Sequence, residues 1–542
     1  MFTRPPTPMD IRICTASLAF LLSAVRAPCA EPFGGIRPAR ELFIVHPKVV
    51  DDARAKYPGS WSFGGLVNEL VGEDKAGACV RAWLETWVFQ QTVNGFDVPA
   101  RPGIMEKVIL PWQKRDGFDP KSGQPWMPKL ENAPFRLLAI VNRMDLCASR
   151  VADVLGQTRA QWKTAGRLPE FEALLDRATQ SAPLANDRTR RKIATPALVP
   201  LNPALFDPRT GSKREAAAFG PYGFHGGLVE QMPDFGEGRF VFGAVDEKGQ
   251  PLAGGWTVIF EYRLPGMKEP RKPAPAALEK QPAAAKIGDP IRNRTLREWA
   301  TQWHMLSFEE PGTGVFNDRL ENLTRHFTHR APTNDAPPLG QLRTSEAVFG
   351  TGREFRQFML DQDLLKLSPL AQTPAPEFTR KDGPETRVLA QFLREGGPLI
   401  RSGIHVIPTA LKLRNESAPV LGGNAIIPAE NPAFQWNPKQ GVPAVVRRVF
   451  SLNTCTGCHA GETECTGLHV SPRAEGSQAV LSAFLRMDGQ PLHAFDKASA
   501  QKVEFHEMEE RAAIFAALLD RTDSKRMEDL RNVLRERIGR SH

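Results

Sequence analysis

The 542-residue chain has no second long apolar run after its N-terminal one, so no later segment approaches the length needed to cross a bilayer as a helix. No Gly-rich phosphate loop follows a strand-like run, and no nucleophile-elbow pattern appears. These absences remove the sequence support for a nucleotide-binding enzyme or a serine-type hydrolase. Nor is there a recognisable flavin, nicotinamide or quinone motif, or an internal repeat at a solenoid period. Cysteine is scarce, with seven in the chain, and three of the seven fall within the twelve residues 454–465.

The start of the chain has a definite layout. Arg4 and Arg12 precede an apolar core at residues 13–25, and small residues follow around Ala27 and Ala30. This is the pattern of a secretory signal peptide, expected here to cover residues 1–29. Thirteen residues are too few for a helix across about 30 Å of hydrocarbon, so an exported chain without an integral membrane segment is expected, periplasmic or secreted. Loss of residues 1–29 removes three arginines and Asp10, a net +2, so the charge goes from +9 to about +7. The basic excess is spread out. Its densest point, residues 188–192, carries no interleaved aromatics and reads as a solvated loop, with no nucleic-acid partner implied.

Patterning predicts an α+β fold, with strands clustered in the first two-thirds and helices dominating the last third. Residues 134–141 form a short buried-strand run, and residues 239–245 and 255–262 flank a turn-rich stretch as an antiparallel hairpin. A second hairpin is expected from residues 342–349 and 353–360 around Gly350 and Gly352. Leu296, Trp299, Ala300 and Trp303 share one helix face, as do Phe316, Leu320, Leu323 and Phe327. Residues 385–395 follow Pro384 and stop at Gly396, the start and end signals of a helix. The expected organisation is a signal peptide (1–29), an α+β region (30–265), a Pro/Ala-rich linker or insertion (266–290), a mixed helix and hairpin region (291–435), and a C-terminal domain (436–542).

Outside residues 454–465 the chemistry-bearing residues are scattered. His304, His326 and His329 include an i, i+3 pair, but no local carboxylate or cysteine pattern joins them, and they read as helix-end surface histidines. Asp145, Glu346 and Glu354 are isolated carboxylates near strand ends, with nothing in the sequence to pair them as acid and base.

Cys455, Cys458 and His459 form C-x-x-C-H, the spacing used to attach a c-type haem. Two thiols about one helical turn apart can each form a thioether to a vinyl group of one macrocycle, and the adjoining histidine supplies the proximal iron ligand. The competing arrangement is C-x2-C-x6-C-x3-H from Cys455, Cys458, Cys465 and His469, a four-donor set suited to tetrahedral zinc in a non-redox binding protein. That set leaves His459 without a role. A disulfide through Cys455 or Cys458 is the third possibility in an oxidising compartment.

At these residues the chain resembles the c-type cytochromes. The pentapeptide carries most of the resemblance, and residues 440–542 carry the rest loosely: an amphipathic helix at 442–454 with Phe450 ahead of the first cysteine, then helices at 477–487 and 505–519. The resemblance implies a smaller, mainly helical haem domain after a large α+β region. It also implies a covalent haem c with iron on His459, and an electron-transfer role toward an unidentified redox partner or small-molecule substrate. The large region would serve as binding module or as the catalytic part of an oxidoreductase. A sixth ligand would come from Met487, His469, His493 or Met508, or be absent, leaving five-coordinate iron. Among the remaining cysteines, Cys79 and Cys147 are the simplest disulfide pair, closing a loop of about 69 residues, with Cys465 odd.

Overall fold

The computed structural model describes residues 35–146, 234–265, 296–329, 339–350, 352–379, 384–396, 400, 405, 407–413, 416–436, 441–497 and 499–519. The expected signal peptide, residues 188–192, Cys147 and the 266–290 linker lie outside them.

The described strands are β1 (Phe43–Ile44), β2 (Gln91–Val93), β3 (Phe96–Val98), β4 (Phe135–Arg143), β5 (Asp234–Ala244), β6 (Trp256–Pro265) and β7 (Leu339–Glu346). They continue with β8 (Gly352–Asp361), β9 (Leu364–Ser368), β10 (Ala410–Leu413), β11 (Glu416–Pro419), β12 (Asn424–Pro428), β13 (Leu492–Asp496) and β14 (Gln501–Phe505). Eight of them make one antiparallel sheet in the order β1-β4-β5-β6-β7-β8-β12, with β9 also paired to β8. The other six form three two-stranded ribbons, β2-β3, β10-β11 and β13-β14.

Both expected hairpins are present: β5 pairs β6 with Phe240 opposite Phe260, and β7 pairs β8 with Glu346 opposite Glu354. The β6–β7 pairing crosses the 266–290 segment, so the strands on its two sides share one sheet.

Period-2 alternation gives this sheet two different faces. Phe242, Trp256, Val258, Phe260 and Phe358 point to one side and join the main core. There Phe63 of the Phe63–Val71 helix meets Phe260 at 5.6 Å, and Trp83 of the Glu73–Val88 helix stacks on Trp256 at 5.7 Å. Both expected helix faces are buried at their described side chains, Leu296 lying outside these. Trp299, Ala300 and Trp303 sit on the Leu296–His304 helix, and Phe316, Leu320, Leu323 and Phe327 on Gly314–Thr328. The Gly314–Thr328 helix is started by Thr313, whose hydroxyl accepts from Phe316 N at 3.2 Å. The Pro384–Glu395 helix is present too.

The last third departs from expectation. Among its described residues, helices Pro384–Glu395, Ala444–Leu452 and Glu507–Leu519 share the chain with β9 to β14. Residues 477–487 hold only the short turn Ala483–Leu485, and Phe505 ends a strand rather than opening a helix. The smaller, separate helical domain is not what the described residues form. Leu452, Val470, Phe484, Phe505 and Phe515 belong to the same hydrophobic cluster as Trp83 and Phe260, so this segment packs into the main core. Two glycines let it approach. A Cβ on Gly243 would meet Pro472, and one on Gly255, whose φ of +76° also favours glycine, would meet Leu468. Among the described residues no helix is long and apolar enough to cross a membrane.

Candidate functional site

The second face of the sheet is the unusual one. Arg239 and Val241 on β5, Ile259 and Glu261 on β6, and Arg343 on β7 point away from the core, a pattern that ordinarily faces water. Here residues 455–511 cover it, and a cavity of about 100 Å³ lies between the two layers. Cys455 and His459, the first and last residues of the C-x-x-C-H stretch, line it from the covering side, with His469 and Phe484.

Local bonding holds the stretch in place. Thr454 caps the Cys455–Cys458 turn, its Oγ1 accepting from Gly457 N at 2.9 Å and from Trp436 Nε1 at 2.8 Å while donating to Ser451 O at 2.7 Å. Gly457 is the residue type the position requires, because a Cβ there would collide with the Ser451 carbonyl. Cys455 N donates to Thr373 Oγ1 at 2.9 Å. Beneath the following loop, Arg447 is buried between Glu462 and Asp496 and pairs with both.

His459 Nδ1 lies 3.0 Å from the Gly467 carbonyl. A carbonyl only accepts, so Nδ1 carries the hydrogen and Nε2 presents its lone pair, the tautomer a metal ligand needs. Burial pushes the imidazole pKa down to about 4, against the pull of the Gly467 carbonyl, so the ring is neutral at neutral pH. Phe355 packs on it with ring centres 5.0 Å apart. Burial likewise raises the Cys455 thiol, opposed by the positive charge of Arg343. Cys458 Sγ is 3.5 Å from His469 Nε2, and His469 Nδ1 is 2.9 Å from Ser482 Oγ.

Of the four residues in the zinc set, Cys458 and His469 meet, Cys455 faces the cavity and Cys465 is half-buried. Among the described residues, no three His, Cys, Asp or Glu side chains are gathered to hold a metal ion. Of the four possible sixth ligands only His469 lines the cavity. Met487 and Met508 belong with the main core, and His493 is exposed.

The other histidines and carboxylates have local partners. His304 donates to Glu41 at 2.8 Å and His329, just past its helix, to Glu69 at 2.9 Å. Asp145 accepts a bidentate pair from Arg143. Glu346 and Glu354, which sequence left isolated, face each other across β7 and β8. Cys79 is a free thiol in the core rather than half of a disulfide, and burial pushes it up to about 11.

Sequence reading missed the charged wall: Arg143, Arg239, Glu261, Arg343 and Arg511 all line the cavity. Their signal was present as charged residues at alternate strand positions, the same signal a solvated face gives. Comparison with protein-family models, with curated proteins and with solved structures finds no match.

Proposed function

We propose that this is an exported monohaem c-type protein, with haem bound covalently through Cys455 and Cys458 and its iron on His459, working in electron transfer. One observation carries the reading: both ends of the C-x-x-C-H stretch, Cys455 and His459, border the same cavity. The fit is supported by the neutral, Nδ1-anchored imidazole and by a lining that mixes aromatic and aliphatic side chains with arginines. A haem bound there supplies an iron that gains and loses one electron. The chain's own residues would do the rest. Cys455 and Cys458 tether, Gly467 fixes the ring orientation of His459, and Phe355, Phe484 and Leu485 keep water from the iron. Residues 441–519 take the role of a cytochrome c domain while sharing their packing with the large sheet region. That sharing suits an oxidoreductase in which the sheet supplies the second wall of the redox site.

The test is expression with the c-type maturation machinery. Thioethers survive denaturation and reduction, so haem staining is expected to stay with the protein band on a denaturing gel, and a pyridine haemochrome spectrum to give the c-type form. Cys455→Ala with Cys458→Ala abolishes the stain. Export predicts a mature N-terminus between Ala27 and Glu31 by intact mass. Wild-type protein with stoichiometric zinc and no Soret band would reject the reading in favour of the zinc set.

A further inference from the structure

Buried guanidinium groups near the cavity are mostly matched to carboxylates. Arg143 is paired with Asp145, Arg239 with Glu237 and Glu261, and Arg473 with Asp51. Arg343 and Arg511 are matched less fully: Arg511 pairs with Glu507 alone, and the one carboxylate near Arg343 is Glu261, which Arg239 shares. Arg343, on β7, is 9% exposed, and its Nε makes no hydrogen bond. The Glu261 carboxylate lies 3.7 Å from that nitrogen, beyond hydrogen-bond reach. Arg511, on the Glu507–Leu519 helix, is 3% exposed and gives its Nε to Glu507 at 2.8 Å. Its two Nη groups bond to nothing among the described residues. Both side chains line the cavity, one from the sheet and one from the covering segment.

A desolvated charge with unused donors is strongly unfavourable unless an anion completes it. A guanidinium is planar and forked, and matches a carboxylate with two parallel hydrogen bonds. We infer that Arg343 and Arg511 are the anion-holding residues of this cavity, and that its occupant presents carboxylate groups to them. The inference depends on the proposed function only for the source of those carboxylates: the two propionates of a bound haem, or a small free dicarboxylate.

The test uses protein purified after co-expression with the maturation machinery, as wild type, Arg343→Gln, Arg511→Gln and the double variant. Circular dichroism and melting curves report folding, and haem staining reports attachment separately. Spectroelectrochemistry reads the midpoint potential, and calorimetric titration with succinate reads binding of a free dicarboxylate. If the arginines hold propionates, each variant keeps its stained band and its midpoint potential falls. The reason is that a cation disfavouring ferric iron has been removed, and the double variant falls further than either single one. If they hold a free dicarboxylate, wild type binds succinate saturably, the variants bind it at least tenfold more weakly, and the potential stays put. Folded variants matching wild type in both readouts overturn the inference. The two arginines sit on different elements, so a folding failure in one leaves the other to decide. Absence of haem from wild type would reject the proposed function alone, with the succinate titration then deciding this inference.

Discussion

The imidazole rings of His459 and His469 pack against each other, with centres 4.0 Å apart and planes tilted by 34°. Because the two rings pack directly against each other, a metal held by His459 would not be held by His469 as well. His469 instead packs against His459 and is steadied by Ser482.

The first prediction follows from that stack. On the haem reading, His469→Phe keeps the aromatic packing and retains covalent haem with an unchanged axial-ligand spectrum. His459→Ala loses the proximal ligand. A His469→Phe protein whose visible spectrum shows a lost nitrogen ligand would contradict the stacking role.

The second concerns the carboxylates that face each other across β7 and β8. Burial, helped by the charge of Glu354, raises Glu346 from 4.5 to about 8, against the opposing effects of Arg356 and Trp87. The folded protein therefore holds a proton that the unfolded chain releases near 4.5. The stabilisation is complete below that pH and is lost as pH rises to about 8. Glu346→Gln, permanently neutral, removes this part of the slope, so its melting temperature relative to wild type rises between pH 5 and 8. Parallel melting curves across that range would show that Glu346 is already ionised.

A third prediction uses Arg473, whose side chain is 2% exposed. Its guanidinium reaches both Asp51 oxygens at 2.7 and 2.8 Å and the Leu137 carbonyl at 2.8 Å, joining the covering segment to the large region. Arg473→Ala leaves Asp51 without this partner, and unfolding free energy is expected to fall by about 3–5 kcal/mol in a denaturant titration. A change under about 0.5 kcal/mol, the range of a plain surface substitution, would mean that the clasp is not formed in solution.

The fourth is chemical. Cys79 is buried, and its thiol is pushed up to about 11. Alkylation by iodoacetamide is expected only after unfolding, and peptide mapping without reduction to give the Cys79 peptide unlinked. Recovery of a peptide disulfide-linked to Cys79 would refute the free-thiol assignment.

The elements that could be read from sequence are those whose local signals agree with their surroundings. The β5–β6 and β7–β8 hairpins have alternating apolar residues around glycine turns, and Trp299, Trp303, Phe316 and Phe327 recur at helical spacing toward the core. Residues 477–487 misled because tertiary pairing overrides helical preference there. Val470 bridges to Leu481, and Ser482 N donates to the His469 carbonyl at 2.9 Å, which holds the chain extended. Phe505 pairs with Leu492 in the β13–β14 ribbon, a contact no local window includes. The C-x-x-C-H residues stand out by their spacing, and Cys455 and His459 do meet at one cavity wall. The arginine wall was not. Arg239 and Arg343 alternate with apolar residues as they would on a wetted strand, and only the distant segment around His469 takes them out of water.

The cavity walls run in sequence from Phe43 on β1 to Arg511 on the last described helix. Such contacts close only after a long stretch of chain has been ordered, which makes them late events in folding. A folding intermediate that has assembled the sheet but not docked residues 455–511 would leave Arg239, Glu261 and Arg343 hydrated and the cavity open. The cavity is then the last part of the molecule to come into existence and the first to be lost on partial unfolding. Hydrogen exchange should accordingly find weaker protection around Cys455–Cys458 than in β5 and β6.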